Sequence, residues 1–196
     1  MNIRIKRALL VAGLATTMAL PLTTQASDGT ITFTGAITAN SCTVNVNASG
    51  SNNATVALPI VDTAALTNAS APLKTAAGTF FNVAVSGCVA TNTDVNGIAP
   101  TTVQIYFEAG PNVDEATSGL INSGTSNVEV NLYTASNAAV VGTLIHPGTT
   151  TNQPSTLAIA SGGTQWFYAG YSTAGANAAA TAGTVSTSVT YSLIYQ

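Results

Sequence analysis

Apolar and polar residues alternate strictly near both ends of the chain. Toward the amino end, two threonines and an alanine separate the apolar-face positions Ile31, Phe33, Gly35 and Ile37. At the carboxyl end, apolar residues alternate with serines and threonines over residues 185–195. A period of two places every apolar side chain on one face of an extended strand. Chain ends usually fray in folded domains, so these strictly patterned ends predict that something buries both faces.

Shorter segments with a strand pattern fill the interior of the chain. Clusters of Gly, Asn, Pro and Ser, which favour turns, separate them. The predicted strands cover residues 43–46, 55–58, 81–88, 102–107, 128–133, 140–145 and 166–171. One brief helical turn is predicted within residues 62–71, and we find no internal repeat or second domain. Short strands at this spacing predict a single all-β sandwich.

Residues 1–26 have the features of a secretory signal peptide. A basic start precedes an apolar run from Ala8 to Leu20, and a small-residue cleavage site ends at Ala26. The run is too short to span a bilayer, and no later segment reaches the required length. We therefore predict an exported mature chain that begins at Ser27 or Asp28, with an uncleaved anchor as the alternative.

Removal of that segment leaves a chain with very little positive charge. Lys74 then stands alone against seven carboxylates, which gives a net charge of −6. Because binding to nucleic acid or anionic lipid relies on many basic residues, this composition excludes both as partners. A surface of Thr, Ser, Asn, Ala and Gly is unusual for a soluble monomer. It suits a subunit that packs against copies of itself.

Residues for covalent or metal chemistry are few. Cys42 and Cys88, the two cysteines, predict a disulfide in an exported chain, with a free thiol pair or a metal pair as the alternative. His146, the single histidine, precedes a proline in a Gly/Thr-rich stretch and is predicted to be a solvated loop residue. Glu108, Asp114 and Glu115 are predicted to lie in a solvated loop, with a carboxylate pair or a calcium site as the alternative. We predict no catalytic residue, no metal and no cofactor.

Four motifs follow one another along the mature chain. They are Gly29-Thr30-Ile31-Thr32-Phe33-Thr34-Gly35 before Cys42, Phe81-x-Val83-x-Val85-x-x-Cys88, Phe167-x-Ala169-x-Tyr171, and the alternating end from Gly183 to Tyr195. Together, behind a signal peptide and with two cysteines, they resemble the pilin subunits of chaperone–usher pili, specifically the type 1 fimbrial major-subunit family. The resemblance covers essentially the whole mature chain.

The resemblance implies an incomplete immunoglobulin-like β-sandwich that a donor strand from the neighbouring subunit completes. Residues 27–40 would be the N-terminal donor-strand segment, and residues 41–196 the pilin domain. Ile31, Phe33, Gly35 and Ile37 would contact the next subunit, where Gly35 would let the strand approach closely. A C-terminal strand would form the groove edge that a chaperone contacts, through Gly183, Val185, Val189, Tyr191, Leu193 and Tyr195.

The implied function is that of a structural subunit of a surface fimbria, which polymerises by donor-strand exchange and supports cell adhesion. Such a head-to-tail contact does not close, so it propagates into a filament. The implied partners are identical or related pilin subunits, a periplasmic chaperone and an outer-membrane usher, on a route through the periplasm to an extracellular fimbrium. One alternative is a minor adaptor subunit of the same fibre. The other is a stand-alone secreted carbohydrate-binding β-sandwich, with a sugar site formed by Trp166, Phe167, Tyr168 and Tyr171.

Overall fold

Short β-strands and a single 3-10 helix make up the regular structure of the described chain. The structure is a computed structural model that describes residues 41–66, 78–90, 98–150, 152–173 and 179–196. In chain order its elements are β1 (Ser41–Val46), a 3-10 helix (Thr63–Ala65), β2 (Gly78–Val89), β3 (Thr102–Phe107), β4 (Val128–Asn137), β5 (Val140–Leu144), β6 (Leu157–Ala158), β7 (Gly163–Thr173) and β8 (Tyr191–Tyr195). The predicted all-β class is confirmed. Within these ranges no helix has the length and apolar character needed to cross a membrane.

Two predicted segments cannot be compared with the structure. The signal peptide, residues 1–26, and the donor segment, residues 27–40, lie outside the described residues. The donor positions Ile31, Phe33, Gly35 and Ile37 lie there too. Their roles therefore stay predictions.

The strands form two antiparallel sheets. The five-stranded sheet has the order β1-β2-β7-β4-β5, and the three-stranded sheet has the order β6-β3-β8. Three aromatic rings join the two sheets in the core: Phe167 stacks on Phe81 with ring centroids 5.2 Å apart, and Phe107 of the second sheet meets Phe167 edge-on at 5.2 Å. Alternating residues of β2 and β3 continue this core on either side, because a period of two turns them to the same face.

The predicted disulfide is confirmed. Cys42 in β1 is bonded to Cys88 near the end of β2. The two strands pair antiparallel, with Val46 opposite Val83, and their register shifts between Ser41 and Thr43. The bond therefore ties the first strand, which lies at the edge of its sheet, to its neighbour.

Some segments differ from the predicted strands. Residues 55–58 do not form a strand in the structure, and no described strand pairs with them. The predicted C-terminal strand is a paired strand only from Tyr191. Strand β6 was not predicted, because two residues are too few to show a period. The 3-10 helix lies within the predicted helical turn, where the Asp62 carboxylate accepts a hydrogen bond from Ala64 N at 2.8 Å.

Loss of the disulfide is expected to destabilise the domain strongly. The bonded residues are 46 apart in sequence, and in the chain-entropy model a loop of that size stabilises by roughly 4 kcal/mol. Cys88→Ser, alone or with Cys42→Ser, should therefore sharply lower the yield of exported protein, while Ser86→Ala should leave it near wild type. Denaturant unfolding with and without reductant measures the effect. Identical unfolding of the wild-type protein in both conditions would contradict the prediction.

Candidate functional site

One edge strand of each sheet, β1 and β8, lies on the same side of the sandwich. Among the described strands, β1 pairs only with β2, and β8 pairs only with β3. Two tyrosines of β8 reach across to the first strand and the turn after it. The Tyr191 hydroxyl donates to the Asn52 carbonyl at 2.7 Å, and Tyr195 is hydrogen-bonded to the main chain of Cys42. We call the line along which residues 42–61 face residues 185–195 the seam. Residues 42–61 are its first wall, and residues 183–195 are its C-terminal wall.

Apolar side chains from both walls of the seam pack against the core. Along the C-terminal wall the odd-numbered residues are half-buried, whereas nearly all the even-numbered ones are exposed. The half-buried apolar residues are Val44, Val56 and Leu58 on the first wall, and Val185, Val189, Tyr191, Leu193 and Tyr195 on the C-terminal wall. The alternation in the sequence thus corresponds to a continuous apolar row beside the core.

The main chain of β8 is hydrogen-bonded to β3 on one side. Glu108 N donates to Thr190 O at 3.0 Å, and Gln196 N donates to Thr102 O at 2.8 Å. In an antiparallel ladder, residues of one parity exchange both bonds with the partner strand, and residues of the other parity turn their groups away. The N–H and C=O groups at the odd positions of β8 therefore face the seam. No main-chain group of the described residues bonds to them.

Residues 54–61 form the later part of the wall opposite residues 185–195. Side chains of the large sheet hold it: the Thr79 hydroxyl donates to the Ala57 carbonyl at 2.8 Å, and the Tyr171 hydroxyl donates to the Pro59 carbonyl at 3.0 Å. Within the described residues, no main-chain hydrogen bond joins this wall to residues 183–195. An unpaired strand edge beside an apolar surface is a template for another strand.

Amide side chains hold the C-terminal wall where the ladder with β3 stops. The Asn122 side chain accepts from Ser186 N at 2.8 Å and donates to the Thr184 carbonyl at 3.1 Å. The Asn112 amide donates to the Ser188 hydroxyl oxygen at 3.0 Å. All of these bonds go to even-numbered residues. These bonds therefore keep the even-numbered residues pointing away from the core, and the odd-numbered side chains point toward it.

A carboxylate continues this row of bonds along β8. Glu108 accepts hydrogen bonds from the hydroxyls of Ser192 and Thr190. We call Glu108, Asn112 and Asn122 the clasp. At the other end of the wall, Gly183 lies so close to the preceding loop that an added Cβ would be 2.5 Å from Ser126 N. A larger residue at position 183 would push the wall away from that loop.

Burial affects the two tyrosines that cross the seam. It raises the pKa of Tyr191 above its ordinary value of 10.0. It also raises the pKa of Tyr195, although a hydrogen bond with the Cys42 main chain acts in the opposite direction. Both phenols are therefore protonated at neutral pH.

The predicted chemistry outside the seam is corrected in part. His146 lies in a loop, but it is half-buried and its Nδ1 is hydrogen-bonded to the Ser118 hydroxyl rather than solvated. The rings of Phe167 and Tyr168 are fully buried, so they cannot line a sugar site. In the part of the chain that the structure describes, no three His, Cys, Asp or Glu residues are grouped as metal ligands.

Sequence reasoning missed the clasp and one residue of the seam. Glu108, at the end of β3, was predicted to be a solvated loop carboxylate, but it is half-buried and accepts two hydrogen bonds. Asn112 and Asn122 lie in the loops that follow, where the sequence offered no signal that separates them from other polar residues. Thr187 occupies an odd position of the C-terminal wall and is half-buried. Its odd position in the alternation was a usable signal, but only apolar residues were selected from that pattern and Thr187 is polar.

The folded protein is expected to be less stable at alkaline pH. A raised pKa means that the folded state favours the neutral phenol, so its contribution to stability is complete below about pH 10. It is lost as the pH rises through the folded-state pKa. The free energy of unfolding should therefore fall as the pH rises above about 10. It should fall less steeply for the double variant Tyr191→Phe/Tyr195→Phe, which lacks both phenols. Equal slopes for the two proteins in alkaline denaturant titrations would contradict this expectation.

Two curated proteins are similar to this chain over most of its length. No protein-family model matches the chain. The chain is 32% identical over 183 residues to the major fimbrial subunit SMF-1 of Stenotrophomonas maltophilia (strain K279a), covering 90% of this chain and 98% of that protein. It is 33% identical over 177 residues to the F17 fimbrial protein of Escherichia coli, covering 88% and 90%. The crystal structure of the P pilus rod subunit PapA matches with a TM-score of 0.47 and 18% identity, over 85% of this chain and 100% of that one.

Both curated relatives are fimbrial proteins at more than 30% identity, and this chain spans nearly all of each. The chain therefore belongs to the family of fimbrial subunits.

Proposed function

We propose that this fimbrial subunit polymerises head to tail, with residues 27–40 of one copy inserted as a donor strand into the seam of the next. One observation carries the proposal. The main-chain groups at the odd positions of β8 face the seam with no described partner, and the same positions present the half-buried apolar row. A strand is the structure that satisfies both needs at once, because its main chain pairs with the edge while its side chains fill the apolar row.

The donor segment matches the seam in length and pattern. At about 3.3 Å per residue, the donor row from Ile31 to Ile37 spans roughly 20 Å, and the row from Val185 to Tyr195 spans roughly 33 Å. All the donor positions therefore fit along the C-terminal wall. Burial of Ile31 and Phe33 in a neighbour would contribute on the order of 2–3 kcal/mol each.

The assembly partners follow from the hazard that the seam presents. An unpaired edge beside apolar residues promotes aggregation, so the exported subunit needs protection before it joins a fibre. A periplasmic chaperone that lays its own strand along the seam would supply it, and an outer-membrane usher would exchange that strand for the donor segment. Cell adhesion would then be a property of the assembled surface fibre.

The donor residues are expected to be dispensable for the fold of their own subunit. Phe33→Asp should still give a disulfide-bonded, chaperone-bound subunit but no fibre, because a charge buried in the neighbour's seam is strongly unfavourable. Gly35→Val should impair polymerisation through steric exclusion. Thr32→Ser and Thr34→Ser are the controls, since these side chains face the other way. The measurement compares the yield of chaperone complex with the yield of fibres in electron micrographs of sheared surface material.

The opposite pattern would identify the segment as an intramolecular strand. In that case Phe33→Asp abolishes the chaperone complex itself, whereas Gly35→Val still assembles normally. Head-to-tail exchange would then have no support from this segment.

The C-terminal wall supplies a second test with a neighbouring control. Leu193 faces the seam, whereas the next residue, Ile194, points outward and is 37% exposed. Leu193→Asp should prevent capture by the chaperone and leave the subunit to be degraded in the periplasm. Ile194→Asp should still form the complex. If pull-down with the chaperone recovers both variants equally, the seam is not the surface that the chaperone binds.

A further inference from the structure

Thr187 breaks the apolar row of the C-terminal wall. It occupies an odd position between Val185 and Val189, and its hydroxyl oxygen is buried with no hydrogen-bond partner. The clasp fixes this orientation, because the neighbours Ser186 and Ser188 are bonded outward to Asn122 and Asn112. A buried hydroxyl without a partner is destabilising, and a valine of the same shape would avoid that penalty. We therefore expect the Thr187 hydroxyl to have a hydrogen-bond partner that lies outside the described residues.

The donor row contains one position that matches this irregularity. Among Ile31, Phe33, Gly35 and Ile37, the glycine alone has no side chain, so the main chain of the donor strand is uncovered there. We propose that the Thr187 hydroxyl of one subunit forms a hydrogen bond with the donor main chain at Gly35 of the next. This inference rests on the proposed donor-strand function of the seam.

Such a bond would fix the register of the inserted strand. A slip of one residue turns the apolar donor side chains outward and is strongly disfavoured. A slip of two residues keeps them inward, so the alternation alone does not prevent it. It would, however, place a bulky side chain against Thr187 and leave its hydroxyl unpaired. With Gly35 beside Thr187, the flanking donor residues Phe33 and Ile37 lie beside the two valines of the wall, whichever way the strand runs.

The test compares the chaperone-bound subunit with the fibre. In the chaperone complex the seam holds a chaperone strand and not Gly35, so Thr187→Val should leave the yield and thermal stability close to wild type. In fibres the same variant should dissociate into monomers roughly fivefold to tenfold faster in denaturant, as expected for the loss of one hydrogen bond. Thr187→Ser keeps the hydroxyl and should dissociate at close to the wild-type rate. A merely structural role for Thr187 would shift complex and fibre in the same direction, and that result would overturn the inference.

A double-mutant cycle identifies the partner. Gly35→Ala should accelerate fibre dissociation in the wild-type background and have a much smaller effect in the Thr187→Val background. Independent, additive effects would overturn the assignment to Gly35. Wild-type fibres that match Thr187→Val fibres in dissociation rate would overturn this inference while leaving the proposed function intact. A wild-type chain that forms no fibre at all would overturn both.

Discussion

An edge strand has main-chain hydrogen bonds to a neighbouring strand on one side only. The C-terminal strand of this protein, β8, is such a strand. Its even-numbered residues bond to β3, and its odd-numbered residues turn their N–H and C=O groups toward the seam. The same odd residues carry the apolar side chains that lie against the core. Unpaired main chain and half-buried apolar surface therefore occur together along one line. Neither need is met by a loop or a helix, because only an extended strand pairs with an edge and presents side chains at the matching period of two.

The composition of the chain fits the way this line is maintained. Residues 183–190 are held from one side by a few main-chain bonds, such as that from Ser123 N to Ser186 O, and by side chains: two asparagines and a glutamate bond to serines, threonines and main-chain groups. Short amides and hydroxyls reach a strand without covering its other edge. The Asn, Ser and Thr residues that are common in the sequence supply these groups.

The sequence pattern predicted burial more reliably than pairing. Strand β3 has the predicted bounds, 102–107, because its alternating residues are buried on one face and its main chain is paired on both sides by β6 and β8. Residues 55–58 have a similar pattern and alternate in burial, yet no described strand pairs with them. Alternation of apolar and polar residues predicts which face of a strand is buried. It does not predict which other strand pairs with its main chain. For the same reason the clasp was invisible: an asparagine that bonds to a distant strand looks, in sequence, like an asparagine in any turn.

The contacts that hold the seam do not use the groups that a donor strand needs. The phenol of Tyr191 reaches the Asn52 carbonyl, Tyr195 bonds to the main chain of Cys42, and the disulfide fixes that cysteine to β2. None of these contacts uses the main-chain groups at the odd positions of β8, so no described main-chain bond has to break before a strand pairs with that edge. Walls that are positioned in advance lower the ordering cost of binding. The internal bonds of the subunit therefore shape the seam, and they leave the odd-numbered edge of β8 unpaired among the described residues.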